Sequence, residues 1–214
     1  MDSHPSRRWW RRPSTAMLVG AIGGCALTLL AGAVRDAWTT GAFARHHPRA
    51  QVVAADRLHQ LLNLQFSNGA GVLRPWPAEE GKRFVLRWVT DGLLDRRDPH
   101  ALEVLFSPGD GERSLGRVGV EAFAGLSRET LRDPALPVGR LTSYLGPRAD
   151  VVPEARHGCG TAVIADLSFP DVAIVGYTSG AVRILSRSDL GLGPSEPIVA
   201  GPKARDPDLR TLTE

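Results

Sequence analysis

The sequence predicts an α+β protein: an N-terminal transmembrane helix and a helical segment, followed by a C-terminal antiparallel β meander. Three observations carry that prediction. Residues 13–34 form a run without a single charge, closed by Arg12 on one side and Arg35 on the other. Val53, Arg57, Leu58, Leu61 and Leu62 recur at the three-to-four spacing of a helix face. Residues 162–166, 172–177 and 182–185 are short, rich in β-branched side chains and bounded by turn formers.

The apolar run comes first. As a helix rising ~1.5 Å per residue it reaches about 33 Å, enough for the ~30 Å hydrocarbon core of a bilayer. Arg7, Arg8, Trp9, Trp10, Arg11 and Arg12 would lie at the membrane interface, where an aromatic belt and a basic cluster belong. The tight cluster on that side orients the N-terminus inward, leaving residues from about 36 onward extracytoplasmic. Gly20, Gly24, Thr28 and Gly32 recur every four residues, a stripe that lets two membrane helices approach and self-associate. The same residues also fit a cleaved segment: Ala31-Gly32-Ala33 matches a signal-peptidase site, and Ser6-Arg7-Arg8 begins a twin-arginine-like motif.

The remaining elements follow in order. Residues 35–50 form a connector containing His46 and His47. The helical pattern runs from Gln51 to about Gln65 and stops at Asn68-Gly69-Ala70-Gly71. Pro75 and Pro77 frame a loop around Trp76. Residues 79–91 fit a helix or a strand: their β-rich letters suit a strand, but Phe84, Val85, Trp88 and Val89 place an apolar face on a helix and Gly92 suits its end, which favours the helix. Residues 101–106 read as a strand closed by the turn Ser107-Pro108-Gly109-Asp110-Gly111, and 120–126 as a short helix. Residues 141–145 read as a further strand. Thr178-Ser179-Gly180-Ala181 joins the last two meander strands as a hairpin. The resulting organisation is a cytoplasmic basic segment (1–12), a transmembrane helix or signal segment (13–34), the connector (35–50), an extracytoplasmic α+β domain (51–193) and an extended polar tail (194–214).

Charge separates along the chain. The net charge is +3. Residues 1–49 hold seven Arg against Asp2 and Asp36, whereas residues 50–214 hold 19 Lys and Arg against 21 Asp and Glu. The domain is slightly acidic, which argues against a nucleic-acid partner; the basic end suits membrane lipid. Only Lys82 and Lys203 are lysines, all other cationic side chains being Arg, as in a GC-rich bacterial genome. Together these features place the protein at a bacterial inner membrane. Of the two cysteines, Cys25 lies in the apolar run and Cys159 in the domain, so no intramolecular disulfide is expected.

No arrangement of residues announces chemistry. Cys159 has His157 two positions away, but the flanking glycines indicate a loop, in which the two side chains do not align. His4, His46, His47, His59 and His100 show no HxxxH or CxxC spacing. Asp110 and Glu112 lack the rest of a calcium loop. Gly176-Tyr177-Thr178-Ser179-Gly180 is not a nucleophile elbow, and Gly191-Leu192-Gly193 lacks a helix to receive a phosphate. Glu79 and Glu80 suit the start of a helix. Trp76 and Trp88 read as core anchors, while Trp38 is grouped with the interfacial tryptophans. No catalytic, cofactor-binding or metal-ligating residue is therefore assigned, and no cofactor is expected.

One kinship is suggested. Leu141-Thr142-Ser143-Tyr144-Leu145-Gly146, Ala162-Val163-Ile164-Ala165-Asp166, the hairpin from Val172 through Tyr177 and Gly180 to Leu185, and Leu190-Gly191-Leu192 resemble the globular end of pseudopilin-like proteins of the type II secretion class. Phe106-Ser107-Pro108-Gly109-Asp110 is similar to that family's strand and Pro-containing turn. The family's prepilin cleavage motif is absent: Pro13-Ser14-Thr15-Ala16-Met17 stands in its place. The resemblance implies a pilin-like head with a structural or assembly role and envelope-protein partners. The alternative is an exported enzyme or ligand-binding module, which requires a cavity with convergent polar groups.

Overall fold

The computed structural model describes residues 48–66, 76–151 and 160–214. The chain divides into two units, Met1–Thr39 and Thr40–Glu214, and every described residue belongs to the second. The described residues form helices and antiparallel sheets, an α+β combination. The membrane-spanning part of the expected fold is corrected. Among the described residues no helix is long and apolar enough to cross a membrane. The longest, α1 (Pro48–Phe66), is amphipathic: Ala54, Leu58, Leu61 and Leu62 are buried, while Asp56, His59 and Gln60 face solvent. Residues 13–34, with the proposed packing positions Gly20, Gly24, Thr28 and Gly32 and the interface residues Arg7, Arg8, Trp9, Trp10, Arg11 and Arg12, lie outside the described residues. A single-pass, signal-anchored topology therefore has no support in the fold.

After α1 come five short helices, α2 (Gly81–Thr90), α3 (Pro99–Glu103), α4 (Leu115–Val118), α5 (Glu121–Ala124) and α6 (Arg128–Arg132), and a single 3-10 turn at Val138–Arg140. The strands are β1 (Gly146–Pro147), β2 (Ala162–Asp166), β3 (Val172–Tyr177), β4 (Val182–Ser186) and β5 (Leu212–Thr213), with α7 (Pro207–Arg210) preceding the last. Strands β2, β3 and β4 form an antiparallel meander in that order, as their short connections require. The hairpin closes where expected: the Tyr177 N–H donates to Ala181 O, and Gly180 takes a φ of +83°. Strand β1 pairs antiparallel with β5, and Leu145 bridges to Ala165 on β2.

The sheet separates two cores. Along β3, Ile174 points toward the helices, where it joins Leu58, Leu62, Phe84 and Trp88. Ala173, Val175 and Tyr177 point to the other side and pack with Leu190, Ala204, Leu209 and Leu212. Gly176 permits the close approach of α1. A Cβ there would come within 2.6 Å of Ile164 Cγ2 and 2.8 Å of Leu62 Cδ1. Gly176→Ala is therefore expected to cost about 1–3 kcal/mol, measured by urea unfolding, through overpacking of this contact.

Three local expectations are corrected. Residues 101–106 are not a strand. Their Leu, Val and Phe letters suit one, but Asp98 caps the preceding turn by accepting from the His100 N–H at 2.9 Å, and Pro99 fits the first helical position, so the segment starts as α3. The strand that the pseudopilin resemblance implied there is absent. Residues 141–145 run as irregular chain: the Thr142 hydroxyl donates to Leu105 O at 2.8 Å, and only Leu145 enters the sheet. The expected tail, 194–214, instead wraps the sheet's second face. It buries Ala204, Leu209 and Leu212 and is tied down by the Tyr177 hydroxyl, which donates to Asp208 Oδ2 at 2.7 Å. Burial and that carboxylate together push the Tyr177 phenol well above its usual range. Tyr177→Phe should lower stability by about 1.5–3 kcal/mol, read from urea melts, since the bond is to a charged acceptor.

Candidate functional site

The turn after α3 forms one wall of a cavity. Ser107 and Asp110 shape it: the Gly109 N–H donates to Ser107 Oγ at 3.0 Å, and Asp110 Oδ1 accepts the N–H groups of Glu112 and Arg113, each at 3.0 Å. Asp110 Oδ2 also pairs with Arg113 at 3.1 Å, fixing that guanidinium against the turn. Gly109 lies against the Phe169 ring, whose carbons would sit 2.8 Å from any Cβ added there.

Facing this turn are Ser143 and Leu145, the exit of β2 at Leu167 and Ser168, and the C-terminal residues Ile198, Ala200 and Thr213. The space between them measures about 540 Å³. A second hollow of about 740 Å³ adjoins it, sharing Glu112, Arg113 and Glu214 and adding Lys82, Arg117 and Arg140. The two form one cleft with two arms.

Three buried polar atoms without partners lie on Ser143, Tyr144 and Asp166, and of these residues only Ser143 lines the first arm. The Ser143 Oγ is buried from solvent and makes no hydrogen bond. Asp166 and Tyr144, both 0 % exposed, belong to the segments that supply Leu145 and Leu167. Asp166 Oδ1 accepts the Ser168 N–H at 2.9 Å, but Oδ2 and the Tyr144 hydroxyl have no partner. Burial raises the Asp166 carboxyl above its ordinary range. The neighbouring Ser107 hydroxyl, which falls short of a full hydrogen bond, and Ser168 oppose that rise. Burial, and then the charge of Asp166, push the Tyr144 phenol well upward. Buried polar atoms in native proteins are nearly always paired, so these three, on chain-adjacent segments, are exceptional.

The second arm is cationic. Lys82 lies in the first turn of α2 and is 3 % exposed; among the described residues its side chain has a single partner, Glu214 Oε1, at 3.5 Å. Desolvation lowers its pKa, and the charge of Arg113 lowers it further; Glu214 and Asp110 act the other way. Arg117 and Arg140 line the same arm, and their side chains form no hydrogen bond or ion pair among the described residues. Such a set can bind and orient an anion or hold a deprotonated amine ready for use.

The residues that the sequence singled out lie elsewhere. His157 and Cys159 fall outside the described residues, as do His4, His46 and His47. His59 and His100 are exposed on separate helices. No group of three or more His, Cys, Asp and Glu converges among the described residues. Trp76 and Trp88 belong to an aromatic chain, Phe66–Trp76–Phe84–Trp88, with ring centroids 5.5–5.9 Å apart. Glu79 pairs with Arg87 at 3.1 Å, and Glu80 accepts the Ala149 N–H at 3.0 Å, so both acids are engaged structurally. Sequence reasoning missed Lys82 and Asp166. The available signals were a lysine in a chain that otherwise uses Arg almost everywhere, and a carboxylate closing the apolar run of β2.

Comparison with protein-family models, with curated proteins and with solved structures finds no match to this chain.

Proposed function

We propose that the domain is a ligand-binding module whose site is the two-armed cleft beside the 107–113 turn. The observation that carries this reading is a cavity of about 540 Å³ whose wall mixes Ser143 and Ser168 with Leu145, Leu167 and Ile198. Small-molecule sites are typically hollows of ~300–1,000 Å³ with a few placed polar groups among apolar ones. Leu145, Leu167 and Ile198 supply the apolar walls here, and Ser143 and Ser168 the polar points. Of the two functions the sequence suggested, the exported binding module therefore fits better than an assembly head, which needs no such cavity.

The test is a thermal-shift screen of polar metabolites against the full chain and against Ile198→Trp. Ile198 is part-buried, lines the first arm and packs against the rim of the second core, so a larger ring there obstructs the arm, and the variant's own melting point serves as its reference. A compound present at ~100 times its Kd should stabilise the wild type by about 2.7 kcal/mol. It should stabilise the variant far less. If every stabilising compound acts equally on both proteins, or none acts on the wild type, the cavity is not a ligand site.

A further inference from the structure

We propose that the second arm of the cleft binds a small anionic group, a phosphate or a carboxylate, held between Lys82, Arg117 and Arg140; this rests on the binding reading above and names the chemistry of its ligand. Four cations line that arm, Lys82, Arg113, Arg117 and Arg140, against the carboxylates of Glu112 and Glu214. Residues 50–214 as a whole carry more acids than bases, so the positive charge is concentrated here and is not a property of the surface at large.

The cations divide by availability. Arg113 is committed to Asp110 at 3.1 Å. Arg117 and Arg140 are exposed and their side chains make no hydrogen bond or ion pair among the described residues, leaving two guanidinium forks to receive oxygen atoms in pairs. Lys82 is the unusual member. A buried ammonium carries a large desolvation cost unless it is well paired. Its one partner stands 3.5 Å away on a side chain that is 77 % exposed. An anion in the arm would give Lys82 a close counter-charge and occupy its remaining donors. A compact, three-donor ammonium suits the floor of such a site, and planar forks suit its mouth. Glu112, Arg113 and Glu214 border both arms, so a molecule anchored by its anionic end here can extend its remainder into the first arm.

The experiment is isothermal titration calorimetry of the full chain with inorganic phosphate and, separately, with succinate. The wild type should bind at least one of them with a Kd below about 1 mM, and the tighter of the two identifies the source of the anion. Lys82→Met, which keeps the volume and removes the buried charge, should weaken binding at least about tenfold, or ~1.4 kcal/mol. Arg117→Gln and Arg140→Gln should each weaken it severalfold, while Arg128→Gln, an exposed arginine outside the cleft, should bind as the wild type does. Glu214→Gln should tighten binding by removing a competing carboxylate, a change that a purely structural Lys82–Glu214 pair would not produce. The proposal is overturned if neither anion saturates the wild type below about 10 mM, or if Lys82→Met and Arg140→Gln bind like the wild type. If neutral compounds still distinguish the wild type from Ile198→Trp while both anions fail, the anion arm is refuted and the cavity stands. If both experiments fail, both readings fall.

Discussion

Trp88→Ala is expected to remove about 3–5 kcal/mol of stability. Trp88 is 1 % exposed and lies one turn after Phe84 on α2, the two rings meeting edge-to-face at 5.5 Å. Phe84 in turn stacks on Trp76, and Trp76 meets Phe66 at the end of α1. Truncation would empty the end of this chain and also remove the indole N–H from Gln65. That side chain is 2 % exposed and accepts the Trp88 indole N–H at 3.4 Å. The lost burial, the cavity and a weakened polar contact act together. Domains of this size hold only ~5–15 kcal/mol in reserve, so the variant should be partly unfolded at 37 °C. Urea unfolding followed by far-ultraviolet circular dichroism checks this. A loss under about 1 kcal/mol would mean that the helical core does not depend on α2 packing as described.

Asp166→Asn is expected to stabilise the domain at neutral pH, with a pH dependence that identifies the cause. The folded-state pKa of Asp166 is raised by burial above its unfolded value, near ~3.9. The stability this group contributes is therefore fully present below about pH 3.9. It is lost as pH rises through the raised folded pKa. Asparagine keeps the shape, can still accept the Ser168 N–H and never carries the buried charge. The advantage of the variant should grow with pH across that window, by at most about 1.4 kcal/mol per pH unit, and level off above it. Denaturation midpoints measured from pH 3.5 to 8 give the curve. Parallel curves for the two proteins would show that Asp166 is not the buried, unpaired carboxylate described.

The two predictions mark different depths of legibility. The helix carrying Trp88 was visible in sequence because Phe84, Val85, Trp88 and Val89 keep a helical period. The meander was visible because its strands are short, β-branched runs joined by a tight turn at Gly180. Both signals are local. Helix α3 was misread because Leu102, Val104, Leu105 and Phe106 have the composition of a strand, whereas the conformation is decided upstream by the Asp98–Pro99 cap. The C-terminal wrap was hidden because Pro, Gly and charged residues dominate its composition. Its burial rests on three scattered positions, Ala204, Leu209 and Leu212, with no period to reveal them.

The cleft was not legible at all, for a physical reason. Lys82, Arg113, Arg117 and Arg140 come from α2, the loop before α4, α4 and the 3-10 turn. No spacing rule joins them, and only the packing of α2 against the C-terminal segment brings Glu214 to Lys82. Asp166 read as the polar end of a strand until its depth was known.

The most direct test of the cleft as a ligand site is a crystal structure of the full chain grown with inorganic phosphate. The account predicts tetrahedral density within hydrogen-bond distance of Lys82 Nζ and of the Arg117 and Arg140 guanidinium groups. Glu214 should be turned away, and the density should be absent from Lys82→Met crystals grown in the same solution. An empty arm with Lys82 still held by Glu214, or the same density in the Lys82→Met crystals, would contradict it.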